Sequence, residues 1–179
     1  MSPFDLIRSF VPPDAEASAV QQRILSLNIT PENSLNRKFF SPGHFTASGL
    51  VLSPDRNQFL LIFHAKFGKW IQPGGHFDIA DGSLYNTALR ELSEETGLQN
   101  VVSLNQIDIC IHEVPPNPRK SEPEHLHLDV GFWLQSQTWD VSPGDDAKDA
   151  KWFPVEDIDL TVTDASVCRS LTRWLAKAK

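Results

Sequence analysis

The sequence predicts an α+β domain with a strand-rich middle, one inserted helix and helices at either end. Three observations carry that reading. Apolar and alternating runs suited to strands recur between residues 45 and 134. Helical spacing with cap residues appears at 14–27, 83–95 and 164–176. Clusters of Pro, Gly, Asn and Asp separate these segments. With 179 residues, 40% hydrophobic and 22% charged, the chain can bury a core without staples, and its composition excludes collagen, a coiled coil and a wholly disordered chain.

The elements follow in chain order. Residues 14–27 form a helix capped by Asp14 after Pro12-Pro13, with Ala15, Ala19, Ile24 and Leu27 suited to one face. Residues 28–43 read as a polar connection. Strands are expected at 45–52 and 58–63, joined by the turn Ser53-Pro54-Asp55-Arg56-Asn57. The second is continuously apolar, as a strand covered on both faces should be. Residues 66–72 lead into the breaker Pro73-Gly74-Gly75. The best helix is 83–95: Leu84, Ala88, Leu89 and Leu92 recur at helical spacing and Gly97 stands at the C-cap. A strand follows at 101–113, then a loop at 114–123 with four prolines and the basic pair Arg119-Lys120. Residues 126–134 alternate. Leu126, Leu128, Val130, Phe132 and Leu134 point one way, and His125, His127, Asp129 and Trp133 the other. A short strand at 150–153 and a helix at 164–176 complete the domain. Residues 1–40 read as an N-terminal helical extension and 41–179 as the main domain.

The formal net charge of -7 is uneven. Residues 140–164 hold eight acids against two lysines, whereas 165–179 hold four basic residues and no acid. An acidic surface repels long nucleic acid. Cys110 and Cys168 form no disulfide framework and have no zinc spacing. The longest apolar run, 59–63, is far short of the ~20 residues a membrane span needs, and the first ten residues lack a signal-peptide pattern. A cytoplasmic setting and no membrane partner are the expectation.

The acids of the best helix stand out. With Ala88 at 0° on a wheel of about 100° per residue, Glu91, Glu95 and Glu94 fall at about -60°, -20° and -120°, a stripe bordering the apolar face. Like charges at i, i+4 repel, and the helix dipole disfavours acids in a last turn. A hard divalent cation resolves both conflicts, because Mg²⁺ is bound by carboxylate oxygens, water and phosphate. Arg90, one turn before Glu94, can orient it. The alternative is a solvated acidic face.

The run Arg90-Glu91-Leu92-Ser93-Glu94-Glu95-Thr96-Gly97-Leu98 resembles the second half of the Nudix box, G-x5-E-x7-R-E-U-x-E-E-x-G-U, at every specified position. Trp70 to His76 is similar to the usual lead-in, and the resemblance covers roughly residues 44–160. The first half departs from the pattern: six residues after Gly75 stands Asp81, and the loop is one residue longer, so that Asp81 replaces the first Glu.

The resemblance implies an α/β/α sandwich with a mixed central sheet, and hydrolysis of a nucleoside diphosphate linked to another group. It implies Mg²⁺ or Mn²⁺ on Glu91, Glu94, Glu95 and the Gly74 carbonyl. Arg90, Glu91 and Glu94 would serve as the catalytic set, with Glu94 favoured as general base over Glu113, Glu122 or Glu124. Arg119, Lys120, His127 and Asp129 are the expected substrate contacts. His125, His127 and Asp129 can instead share a transition metal, and Trp133 can stack on a base or simply pack. Asp145 or Asp146 can add an outlying metal ligand. The first-choice substrate is a nucleoside diphosphate sugar, ahead of a dinucleotide or a nucleoside triphosphate. Competing readings are a non-catalytic nucleotide-binding or sensor module and an RNA 5′-end pyrophosphohydrolase, the latter disfavoured by the acidic balance. The same resemblance suggests a homodimer.

Overall fold

The computed structural model describes residues 2–64, 68–144 and 147–177. In order the elements are α1 (Pro3–Ser9), α2 (Ala15–Ser26), α3 (Pro31–Ser34), β1 (Gly43–Leu52), β2 (Gln58–His64), β3 (Lys69–Ile71), β4 (Gly74–His76), α4 (Leu84–Thr96), β5 (Val101–Val114), β6 (His125–Ser136), β7 (Ala147–Pro154) and α5 (Ala165–Lys177). Single 3-10 turns stand at 79–81, 118–120 and 155–157. The strands form one mixed sheet along the path β3-β2-β1-β6-β5, with β4 paired to β1 and β7 to β2. The β1–β6 pair is parallel and the others antiparallel.

Strand alternation divides the side chains between two layers. Phe45 and Ala47 of β1 and Leu128, Val130 and Phe132 of β6 pack against Leu84 and Ala88 of α4 and against Phe4, Ile7 and Ile24 of α1 and α2. Farther along the same face, Leu92 meets Val51, Leu60 and Leu134. On the other face Val167 and Leu171 of α5 cover Leu50, Leu52, Phe59 and Trp133. Phe59 to Ile62 are fully buried, which accounts for the unbroken apolar run of β2. Trp133 stacks on Trp174 with ring centroids 4.8 Å apart, so it is a core residue and not a platform for a base.

Several elements differ from the sequence expectation. Helix α1 forms because Ser2 and Asp5 close a reciprocal capping box around Pro3 in the first turn. The connection at 28–43 contains α3, capped by Thr30. Strand β7 begins at Ala147, three residues before the expected start, because β2 supplies a partner as far as His64.

Both arginines of α5 form ion pairs. Arg173 donates to Asp108 at 2.8 Å and to Asp14 at 2.7 Å, and Arg169 pairs with Glu16 at 3.2 Å. These contacts tie α5 to the start of α2 around β5, an edge strand of the sheet. Asp14 has two duties, since it also caps α2 by accepting from the Ala17 amide at 2.7 Å. Asp14→Ala should therefore destabilise the protein by about 1–2 kcal/mol, read as a lower denaturant midpoint at unchanged slope. The hydrogen bond from Arg173 holds the Asp14 carboxyl below the ordinary carboxylate range. A lowered folded pKa gives stability above the unfolded value that is lost on acidification. The difference between wild type and variant should therefore be full above pH about 4 and shrink as pH falls through the lowered pKa.

Candidate active site

Helix α4 starts where Gly82, at φ 68°, turns the chain and Ser83 accepts from the Asn86 amide. It stops at Gly97, at φ 67°, whose amide donates to the Ser93 carbonyl. Its last carbonyls take further donors from the loop ahead of β7: Ser142 N–H to Thr96 and Gly144 N–H to Glu95. Part of the acidic stretch 140–164 thus supports the helix end. Asp145 and Asp146 lie outside the described residues.

Arg90 is the centre of the site. Its guanidinium donates to Asp81 Oδ1 at 2.8 Å and Oδ2 at 3.1 Å, to Glu91 at 2.9 Å, to Glu94 at 2.9 Å and to the His76 carbonyl at 2.8 Å. Asp81 is buried and also accepts from the Thr87 hydroxyl and the Asp78 amide. Its burial opposes ionisation, but the Arg90 fork and these donors together hold its carboxyl below the usual range. Hydrogen bonding to Asp81 in turn raises Arg90 further above its ordinary value.

The three helical acids differ in exposure. Glu95 is buried and accepts from the Gly74 amide at 2.8 Å. The Glu91 side chain is 16% exposed and that of Glu94 59% exposed. Burial lifts the Glu91 carboxyl above its usual value, against the pull of Arg90. A Cβ on Gly75 would stand 2.5 Å from the Glu91 carboxyl carbon, so any larger residue there displaces that carboxylate. Three carboxylates thus meet one guanidinium, with Glu95 beside them on the Gly74 amide, so negative charge exceeds positive at this end of the helix. The remaining excess of partly buried negative charge, presented by oxygen atoms alone, fits a hard divalent cation.

Asp129 faces the α5 side of the sheet, buried, accepting from Thr46 at 2.8 Å and from Ser48 at 2.9 and 3.0 Å. It lines a small cavity with Gln72, Asp108, Cys110 and Ser166. Gln72 Oε1 is buried there with no hydrogen-bond partner among the described residues. His127 meets His44, His76 and His125. Burial holds His76 down at about 3 and His127 at about 2. Arg119 and Lys120 stand exposed on the turn at 118–120. Glu113 faces the opposite layer, where it pairs with Arg23 of α2 at 3.9 Å, which removes it as a base. Sequence reasoning missed His44, His76 and Gln72 as members of this surface. Only the β1–β6 and β1–β4 pairings bring the two histidines to His127.

A family model described as the NUDIX domain matches residues 43–175. The chain belongs to the Nudix family of hydrolases. A curated relative, the probable DHNTP pyrophosphohydrolase of Lactococcus lactis, is 29% identical over 113 residues, covering 63% of this chain. The chain spans 66% of that relative's length. Among solved structures, a NUDIX family hydrolase from Clostridium perfringens is 23% identical with a TM-score of 0.60, covering 81% of this chain and 100% of its own. The NUDIX domain of Shewanella oneidensis NrtR, crystallised with ADP ribose, is 19% identical with a TM-score of 0.58, covering 88% of this chain and 98% of its own. These likenesses show the Nudix fold. The family match begins at residue 43, so α1 to α3 precede it, although α1 and α2 share the core of the Nudix helix α4. No helix among the described residues is long and apolar enough to cross a membrane.

Proposed function

We propose that this Nudix protein hydrolyses the pyrophosphate bond of a nucleoside diphosphate linked to another group, with Mg²⁺ or Mn²⁺ on Glu91, Glu94, Glu95 and the Gly74 carbonyl. The observation that carries this is the excess of oxygen donors around Arg90, held against the Gly74-Gly75 strand where no Cβ intervenes. A divalent ion there supplies charge neutralisation for phosphate oxygens and a lower pKa for the attacking water.

The chain's own residues do the rest. Asp81 fixes Arg90, and Arg90 fixes Glu91 and Glu94 against rotation. Glu94, the most exposed of the three, accepts the proton of the attacking water as general base. Arg119 and Lys120, on a turn stiffened by Pro118, meet the negative charge of the substrate. Asp129 and Gln72 offer the buried polar groups that orient the rest of the substrate, with His127 on the same side.

A nucleoside diphosphate sugar is the first-choice substrate. The name of the Lactococcus relative adds dihydroneopterin triphosphate to the panel that tests the reading. Nucleoside diphosphate sugars, dinucleotides, nucleoside triphosphates and dihydroneopterin triphosphate should be assayed with Mg²⁺ and Mn²⁺, reading phosphate-bearing products. Turnover of at least one is expected, and no turnover of any overturns the proposal. Gly75→Ala pushes a methyl group into the Glu91 carboxylate. It should lower kcat by about tenfold or more, the scale seen when groups supporting a metal site are disturbed, with a smaller effect on stability measured by thermal unfolding.

A further inference from the structure

The imidazoles of His44, His76, His125 and His127 converge at one end of the sheet, on the face that carries Asp129, and His112 of β5 stands opposite His127. The parallel register sets His44 of β1 beside His127 of β6, and β4 brings in His76 opposite Thr46. One ligand nitrogen from each of His44, His76 and His127 lies within 4.8 Å of the other two. His76 Nε2 is 3.3 Å from His127 Nε2, and His125 Nε2 is 3.2 Å from the same atom.

Hydrogen bonding fixes which nitrogens are bare. His44 Nδ1 faces the Phe39 carbonyl at 3.1 Å, and His125 Nδ1 faces the Pro123 carbonyl at 2.8 Å. A carbonyl only accepts, so both rings carry their proton on Nδ1 and present a lone pair at Nε2. His44 is 1% exposed, and its Nε2 is buried with no hydrogen-bond partner among the described residues. The one proton that neutral His127 can place on Nε2 serves His125 or His76 fully, not both. Buried polar atoms are as a rule paired with protein, water or an ion, so converging lone pairs call for a shared partner.

We infer that His44, His76 and His127 form a binding site for a zinc-class transition metal ion, separate from the carboxylate site. Two nitrogens bound to one tetrahedral zinc at about 2.05 Å stand about 3.3 Å apart, the spacing His76 and His127 already have, with the His44 nitrogen within 4.8 Å of both. His125 Nε2 stands 3.2 Å from His127 Nε2, at the edge of the three-histidine group. Ligand chemistry separates the two sites: imidazole nitrogen suits zinc, and carboxylate oxygen suits magnesium. Backbone carbonyls orient the His44 and His125 rings through Nδ1, the support metal-ligating histidines usually have. The site touches the catalytic helix through one residue, because the His76 backbone carbonyl accepts from Arg90. An ion there would pin the strand that carries Gly74 and Gly75.

The test uses the full chain, stripped with a chelator, given zinc in a large excess of Mg²⁺, dialysed, and assayed for metal by mass spectrometry. One zinc per chain should remain, both in the wild type and in a Glu91→Gln/Glu95→Gln variant that disables the carboxylate site. His44→Ala and His127→Ala should each weaken zinc binding by about tenfold or more. Cobalt substitution in the unaltered protein gives a second readout that does not depend on a variant folding: an intense tetrahedral d–d spectrum is expected. Displacement of zinc by Mg²⁺, a weak octahedral cobalt spectrum, or zinc content that follows the glutamates and ignores the histidines would overturn the assignment.

Discussion

Glu95→Gln should lower kcat by roughly 10²–10³-fold, the scale at which a single group stabilising transition-state charge acts. The substitution isolates charge from architecture. Glu95 is buried and accepts from the Gly74 amide. A glutamine carbonyl accepts the same bond at nearly the same volume, so strand β4 stays docked on α4. What disappears is the formal negative charge that a cation needs. The thermal midpoint should move by only a few degrees while the Mg²⁺ requirement rises, checked by unfolding scans and by titrating activity with metal. A loss of folding equal to the loss of activity would assign Glu95 a structural role instead.

Arg90→Ala should cost about 3 kcal/mol of stability, because it leaves Asp81 charged and buried without its partner. For a chain of this size each kcal/mol is about 2–4 °C, so the midpoint should fall by about 6–12 °C. Arg90 is partly exposed, which holds the effect toward the lower end of what a fully buried pair shows. Activity should fall further than stability, since Glu91 and Glu94 lose the donor that fixes them. Acidification separates the two effects. Asp81 has a lowered pKa in the folded state, so its stabilisation is full above the ordinary carboxylate value and is lost as pH falls through the lowered one. The stability gap between wild type and variant should therefore narrow on acidification, measured by denaturant unfolding across a pH series.

The parts legible in the sequence were the local ones. Ser83 and Gly97 bracket α4, and the spacing of Leu84, Ala88 and Leu92 sets its buried face, so the border position of Glu91 and Glu95 followed from periodicity alone. Alternation in β6 likewise separated the leucines from His127 and Asp129. Long-range pairing was not legible. His44 and His76 look like isolated histidines until β1 runs parallel to β6 and β4 pairs with β1. No local pattern encodes a register that spans 83 residues, as His44 to His127 does. The β1–β6 parallel pair also hid the partners of Asp129, since Thr46 and Ser48 are distant in sequence. Glu113 drops out as a base for a simpler reason. It lies within a strand, where one residue's shift reverses the face, and it turns to α2.

The carboxylates around Arg90 are proposed to carry out metal-dependent cleavage of a pyrophosphate bond. The most direct measurement compares product release and ligand affinity for one turned-over nucleoside diphosphate compound, in wild type and Glu95→Gln, with and without Mg²⁺. The account predicts release by wild type only with Mg²⁺, and binding with almost no release by the variant. Tight Mg²⁺-independent binding without turnover by wild type would contradict it and make the protein a binding module.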